Sequence, residues 1–238
     1  MKKIKNQTVS ASITDSLANL SVIGMFQVME DIVTELLGEM KLDNVTMKEE
    51  NNAVWFFTKS RIKKLKNIPW NEEFQTVCFI SSVTHVVVNL DIAIRNSSGE
   101  LCVYSRLELC VFDLQKNRIK RLSDLGIHDR MVAENPEEDI AFIKFNDEDL
   151  LEKGKVQVKY TNVDFSRHTN NIEYIRFILD TYSVQELEEK PIKEMQVSYL
   201  DQSFENDILT IYKGNFGERD IFTLQKEDKP VVRSEIIF

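Results

Sequence analysis

Two hydrophobic periods alternate along the chain. Between positions 17 and 37, Leu20, Ile23, Met25, Phe26, Met29, Ile32, Val33, Leu36 and Leu37 recur at helical spacing. They predict a helix from about Leu17 to Leu37 with a wide apolar face. Thr14, Asp15 and Ser16 offer capping oxygens before it, and Gly38 offers a stop. Gly24, inside the helix, costs about 1 kcal/mol against Ala. Ahead of the helix, Gln7–Ile13 alternates loosely, as a strand does. Behind it, Ala53–Leu65, Glu73–Arg95 and Leu101–Asp113 are rich in β-branched and aromatic residues. Ile68-Pro69-Trp70-Asn71 and Asn96-Ser97-Ser98-Gly99 read as turns between these strands. One long helix followed by an antiparallel run makes an α+β unit.

Charged residues from about Gln115 to Lys153, including Asn135-Pro136-Glu137-Glu138-Asp139, break the pattern and read as a connector with short helical pieces. The first scheme then recurs: a strand at Lys155–Tyr160, a polar loop at Thr161–His168, and a helix at Asn170–Tyr182. Strands at Glu194–Ser203, Ile208–Lys213, Asp220–Gln225 and Val231–Ile237 complete it. Asp15 precedes the first helix as Asp164 precedes the second, and we read the chain as a duplicated domain. The boundaries are 1–114, a connector 115–153, and 154–238.

Composition narrows the function. At 238 residues there is room for two small domains, and a net charge of −9 argues against general nucleic-acid binding. No window approaches the roughly 18–20 apolar residues of a membrane span, and the N-terminus lacks a signal-peptide core. Cys78, Cys102 and Cys110 show no CxxC spacing and fit a reducing compartment, so the expectation is a cytoplasmic protein. His85 and His128 lie in no metal-ligand pattern, so no metal is expected. GxSxG, GxGxxG and GxxxxGK[ST] are absent, which removes a serine-hydrolase elbow and nucleotide cofactors; no cofactor is expected.

The most informative stretch is Asp164-Phe165-Ser166-Arg167-His168-Thr169-Asn170-Asn171-Ile172-Glu173-Tyr174. It resembles the second-domain motif of the acyl-acyl carrier protein (acyl-ACP) thioesterases, in which Asp, Asn and His alternate with spacers before Asn-Asn and an aromatic-bearing helix. Asp164, His168, Asn170, Asn171 and Tyr174 match it. Trp55-Phe56-Phe57-Thr58-Lys59-Ser60-Arg61, the Pro69-Trp70 turn and the Ser98-Gly99 hairpin follow the family's order. The resemblance implies a tandem double hot-dog, two long helices each wrapped by an antiparallel sheet. It places an acyl-chain pocket in the first domain and the catalytic motif in the second. The chain departs from the motif in two places. Ser166 replaces the family's Asn, and in Tyr199-Leu200-Asp201-Gln202-Ser203 a Gln and a Ser replace Glu and Cys. Gln202 cannot take a proton from water, so a base supplied by that Glu has moved or been lost.

The resemblance implies thioester hydrolysis, with the carbonyl oxygen held by amides at the start of the second helix, around Thr169 to Ile172. Asp164 and His168 are the candidate proton acceptors, Asp164 being favoured as the base or its orienter with His168 bonded to the carbonyl or the water, and Ser166 and Gln202 could hold a water. A lone Asp before a helix is more often a cap, and it is the joint match of Asp, His and Asn-Asn that favours chemistry. Asn170 and Asn171 are candidate substrate-binding residues. Met25 and Met29 are candidates to line the acyl pocket, against the plainer reading that they are core. The implied partner, acyl carrier protein, is acidic and would dock on a basic patch. Lys59, Arg61, Lys63, Lys64 and Lys66 form one candidate, and Lys116, Arg118, Lys120 and Arg121 another. Two other readings stay open: an acyl-CoA thioesterase, and an acyl-binding protein without activity. The sequence does not set oligomeric state, a homodimer included.

Overall fold

A computed structural model describes every residue except 134, 135, 139 and 146–148. The chain divides into two units, Met1–Ala141 and Phe142–Phe238. In the first, β1 (Lys2–Thr8) is followed by α1 (Val22–Glu39), α2 (Asn44–Asn51), β2 (Ala53–Lys64), β3 (Glu73–Val83), β4 (Val87–Asn96), β5 (Leu101–Asp113) and β6 (Arg118–Lys120). Its antiparallel sheet runs β1-β3-β4-β5-β2, with β6 added to the end of β5. Met25, Phe26, Met29, Ile32, Val33 and Leu36 of α1 are fully buried, and α1 packs on β1 and β3.

Several elements differ from the sequence expectation, each for a local reason. The first strand is Lys2–Thr8, not Gln7–Ile13. Two of its lysines are neutralised by the helix beside it, Lys3 pairing with Glu39 at 2.5 Å and Lys5 with Glu35, so a polar sequence serves as an edge strand. The helix starts at Val22 rather than Leu17, because Ser21 is the N-cap and its Oγ accepts the Gly24 N–H at 2.9 Å. Asp15 caps no helix. Its Oδ1 accepts the N–H groups of Leu17 and Asn19 at 3.0 and 2.8 Å, closing a turn upstream. The run Glu73–Arg95 is two strands. Thr84 turns the chain between them, its Oγ1 accepting the Val87 N–H at 3.0 Å.

In the second unit, β7 (Leu151–Gln157) leads to α3 (Asn171–Leu179), α4 (Val184–Glu189), β8 (Glu194–Tyr199), β9 (Ile208–Asn215), β10 (Arg219–Lys226) and β11 (Lys229–Ile237). Its sheet runs β7-β9-β10-β11-β8, all antiparallel. Both sheets therefore trace one path: first strand, third, fourth, fifth, second. Each carries its long helix between its first two strands, which is the hot-dog topology twice over.

The expected connector is divided between the units. Residues as far as Ala141 pack on the first unit, where Ile140 is buried against Ala93 and Tyr104 and the Ala133 N–H bonds Ile80 O at 3.0 Å. Its helical pieces are single 3-10 turns at Leu122–Leu125 and Asp129–Met131. Asn135 and Asp139 lie outside the described residues.

Candidate active site

The loop that enters α3 is shaped by Asp164. Its backbone N–H bonds His168 O at 2.9 Å, and its carbonyl accepts the Arg167 N–H at 3.0 Å. Arg167 takes a positive φ of 67° to close this turn. The Asp164 carboxylate closes on its own turn, with Oδ1 accepting the Ser166 N–H at 2.8 Å and the Ser166 hydroxyl at 2.5 Å. The same hydroxyl lies 3.1 Å from His168 Nδ1. Asp164, Ser166 and His168, singled out from the sequence, are thus joined in one hydrogen-bonded chain.

The imidazole is also fixed by the β8–β9 connection. Its ring meets Phe204 edge-on, centroids 5.1 Å apart and planes at 76°. Lys226 stands over the Phe204 ring at 5.2 Å and is held at 2.8 Å by Asp207, whose Oδ2 also accepts the Phe204 N–H. That hydrogen bond from Lys226 to Asp207 raises the lysine's pKa.

Behind the loop lies a set of buried hydroxyls that sequence reasoning missed. Thr169 Oγ1 is 2.6 Å and Tyr174 OH 2.8 Å from Ser203 Oγ. The Ser203 N–H donates to Tyr174 OH at 3.1 Å, and the Thr169 N–H to Ser203 O at 2.8 Å. Burial pushes the Tyr174 phenol's pKa upward against these hydrogen bonds. Ser203 is fully buried and spent on this network. The sequence signals were Tyr174, which the motif places one helical turn after Asn170, and Ser203, which replaces the family's Cys, and neither states its partner.

The remaining candidates fall in different places. Asn170 is the N-cap of α3, its Oδ1 accepting the Ile172 N–H at 2.8 Å. Of the amides expected to hold a carbonyl oxygen, those of Thr169, Asn170 and Ile172 are engaged within the chain. The Asn171 N–H alone in that run has no acceptor among the described residues. Gln202 is half-buried, and its side chain makes no hydrogen bond among the described residues. Met25 and Met29 lie in the first unit with no exposed surface.

Of the two basic clusters, the first is largely committed. Lys59 pairs with Glu108, Lys63 with Glu138, Lys66 with Glu100, and Arg61 bonds Ala141 O. In the second, Lys120 reaches Asn51 O at 3.3 Å, while Lys116, Arg118 and Arg121 are exposed and make no ion pair among the described residues. The three cysteines are free and buried, and burial raises each thiol's pKa. Among the described residues no His/Cys/Asp/Glu group could hold a metal, and no helix is long and apolar enough to cross a membrane.

The first unit repeats the loop's backbone with other side chains. Asp15 N–H bonds Asn19 O at 2.8 Å, as Asp164 N–H bonds His168 O. Bridges Thr14–Leu20 and Val163–Thr169 correspond, and Ala18 has a positive φ of 56° where Arg167 has 67°. Leu17 and Asn19 occupy the places of Ser166 and His168.

Residues 146–234, which contain the whole of this site, match the family model described as acyl-ACP thioesterase C-terminal domain. The second unit thus carries a likeness to the acyl-ACP thioesterases. An acyl-ACP thioesterase of Bacteroides thetaiotaomicron has the same fold over 100% of this chain and 97% of its own, with 18% identity and a TM-score of 0.88. The 12:0-ACP thioesterase of Umbellularia californica aligns over 99% of this chain and 96% of its own, with 12% identity and a TM-score of 0.83. No curated protein matches in sequence. Ser166 and Gln202 stand at positions where the motif that the loop resembles has Asn and Glu.

Proposed function

We propose that the protein hydrolyses the thioester of fatty acyl-ACP and releases the free fatty acid. The observation that carries this reading is the Asp164–Ser166–His168 chain at the entry to α3, inside the region matched to the family's C-terminal domain. Asp164 and His168 activate the water, and the thioester carbonyl is held at the N-terminus of α3, where the Asn171 amide is the donor left over. The apolar interior of the first unit, with the flexible Met25 and Met29 on α1, is the candidate receptacle for the acyl chain. The exposed cations around β6 offer acidic carrier protein a docking surface.

The test is thiol release from a panel of acyl-ACPs by wild type, Asp164→Asn and His168→Ala. Each substitution lowers turnover by about 10²-fold or more with folding intact, in line with the usual worth of a general base. Faster turnover of acyl-CoA than of acyl-ACP in competition would move the substrate to coenzyme A esters. A wild type that retains an acyl chain and cleaves none would instead show a binding protein, with Gln202 as the decisive change.

A further inference from the structure

A serine hydroxyl has one proton and two lone pairs, and an ionised carboxylate only accepts. Ser166 Oγ lies 2.5 Å from Asp164 Oδ1 and 3.1 Å from His168 Nδ1. Its proton is committed to Asp164, so it can only accept from the imidazole. In the neutral ring, Nδ1 must then carry the proton and Nε2 the lone pair.

We propose that Ser166 is the positioning residue that holds His168 in the Nδ1–H tautomer and so makes Nε2 the base for the hydrolytic water. The surroundings leave the ring little freedom to reverse these roles. Ser166 is tied to Asp164 by its N–H as well as its hydroxyl, and Asp164 is tied to His168 through the backbone. Phe204 abuts the ring edge-on. The arrangement also accounts for a chain whose position 202 is Gln, since the base no longer has to come from there.

The step balances without a co-reactant and rests on the thioesterase reading above. Water gives a proton to Nε2 as its oxygen bonds to the thioester carbonyl carbon, and the C=O pair moves onto oxygen. When that pair returns, the C–S bond breaks, and the departing thiolate takes the proton from Nε2. The products are the carboxylic acid and the thiol, and the ring is again neutral with its proton on Nδ1.

The tautomer is read without substrate from two-bond 15N–1H correlations of the full-length labelled chain above the imidazole titration. His168 is assigned by its disappearance in His168→Ala. Wild type should show a protonated Nδ1 and an unprotonated Nε2. Ser166→Ala, at an exposed position, should shift His168 to the Nε2–H form that histidine prefers in water and lower kcat about 10- to 10²-fold with little change in KM. Ser166→Asn should restore both, because its amide can donate to Asp164 and its oxygen accept from Nδ1–H. An Nε2–H tautomer in wild type, or a spectrum unmoved by Ser166→Ala, overturns the proposal. The Nδ1–H form without turnover of any acyl-ACP or acyl-CoA overturns the thioesterase reading and leaves the tautomer standing.

Discussion

Gly24→Ala pits helix propensity against packing, and the structure predicts that packing wins. On propensity alone, alanine in the first turns of α1 stabilises by about 1 kcal/mol. A Cβ built at Gly24, however, lies 2.6 Å from Ile13 O, 2.9 Å from Ile13 Cβ and 3.0 Å from Leu20 Cδ1. The nearest contact is with backbone, in a segment pinned by the Ser21 N–H to Ile13 O bond at 2.9 Å, so relief requires moving the helix from the loop. Overpacking of this kind costs about 1–3 kcal/mol, which leaves a net loss of up to about 2 kcal/mol once the propensity gain is subtracted. For a chain of this size that is up to about 8 °C in Tm. The second unit shows the same place solved differently: Glu173 stands where Gly24 does and accepts a hydrogen bond from Asn162 at 2.7 Å, while Asn162 stands where Ile13 does. Thermal and urea unfolding of Gly24→Ala against wild type gives the measure. Equal or higher stability would refute the argument, because it would mean that the close approach to Ile13 is not a constraint on α1.

Three further predictions follow from the second unit and β6. Tyr174→Phe keeps the ring but strands the buried Ser203 N–H, which should cost about 1–3 kcal/mol in urea unfolding; no change would mean that another acceptor serves that amide. Charge reversal at Arg118 and Lys120 should raise KM for acyl-ACP by about 10-fold, near 1.4 kcal/mol, and spare acyl-CoA, whereas equal effects on both substrates would exclude carrier-protein docking there. The Tyr182 phenol's pKa is raised by burial and by its hydrogen bond to Asp220. Its contribution to stability is therefore complete below the unfolded value of about 10 and declines as pH climbs through the higher folded value. Unfolding monitored above pH 10 should show a shallower decline in Tyr182→Phe, and an unchanged slope would remove Tyr182 as a cause.

Much of the fold was legible because it rests on burial patterns. The boundaries of Leu101–Asp113 match β5 residue for residue, and the second helix was placed to within a few positions. The edge strands were misplaced because their sequences are polar: Lys3 and Lys5 are matched by glutamates far along the chain, and no local pattern reports that. The β3–β4 turn was missed because Thr84-His85-Val86 lacks Gly, Pro or Asn, the turn being made by a threonine hydroxyl. Asp15 was expected to cap a helix because the sequence alone does not separate a cap from a turn placed six residues earlier than the true cap at Ser21. At the site, the residue types were legible but not their pairing. Ser166 was read as holding a water, whereas its hydroxyl joins Asp164 to His168. The link between Tyr174 and Ser203 spans 29 residues and depends on tertiary structure alone.

The turn shared by the two units separates scaffold from chemistry. Its backbone is written by an aspartate and a left-handed residue, and both copies retain it. The groups that differ, Leu17 and Asn19 against Ser166 and His168, hang from that backbone, where Asn19 Nδ2 donates to Leu17 O at 3.1 Å and the Ser166 hydroxyl joins Asp164 to His168. Duplication would thus have left the side chains of each copy free to diverge, with no refolding required in either. For an engineer, the first copy is a ready-made frame: two substitutions, Leu17→Ser and Asn19→His, would set the serine and histidine of the second copy beside Asp15 on a turn with the same backbone.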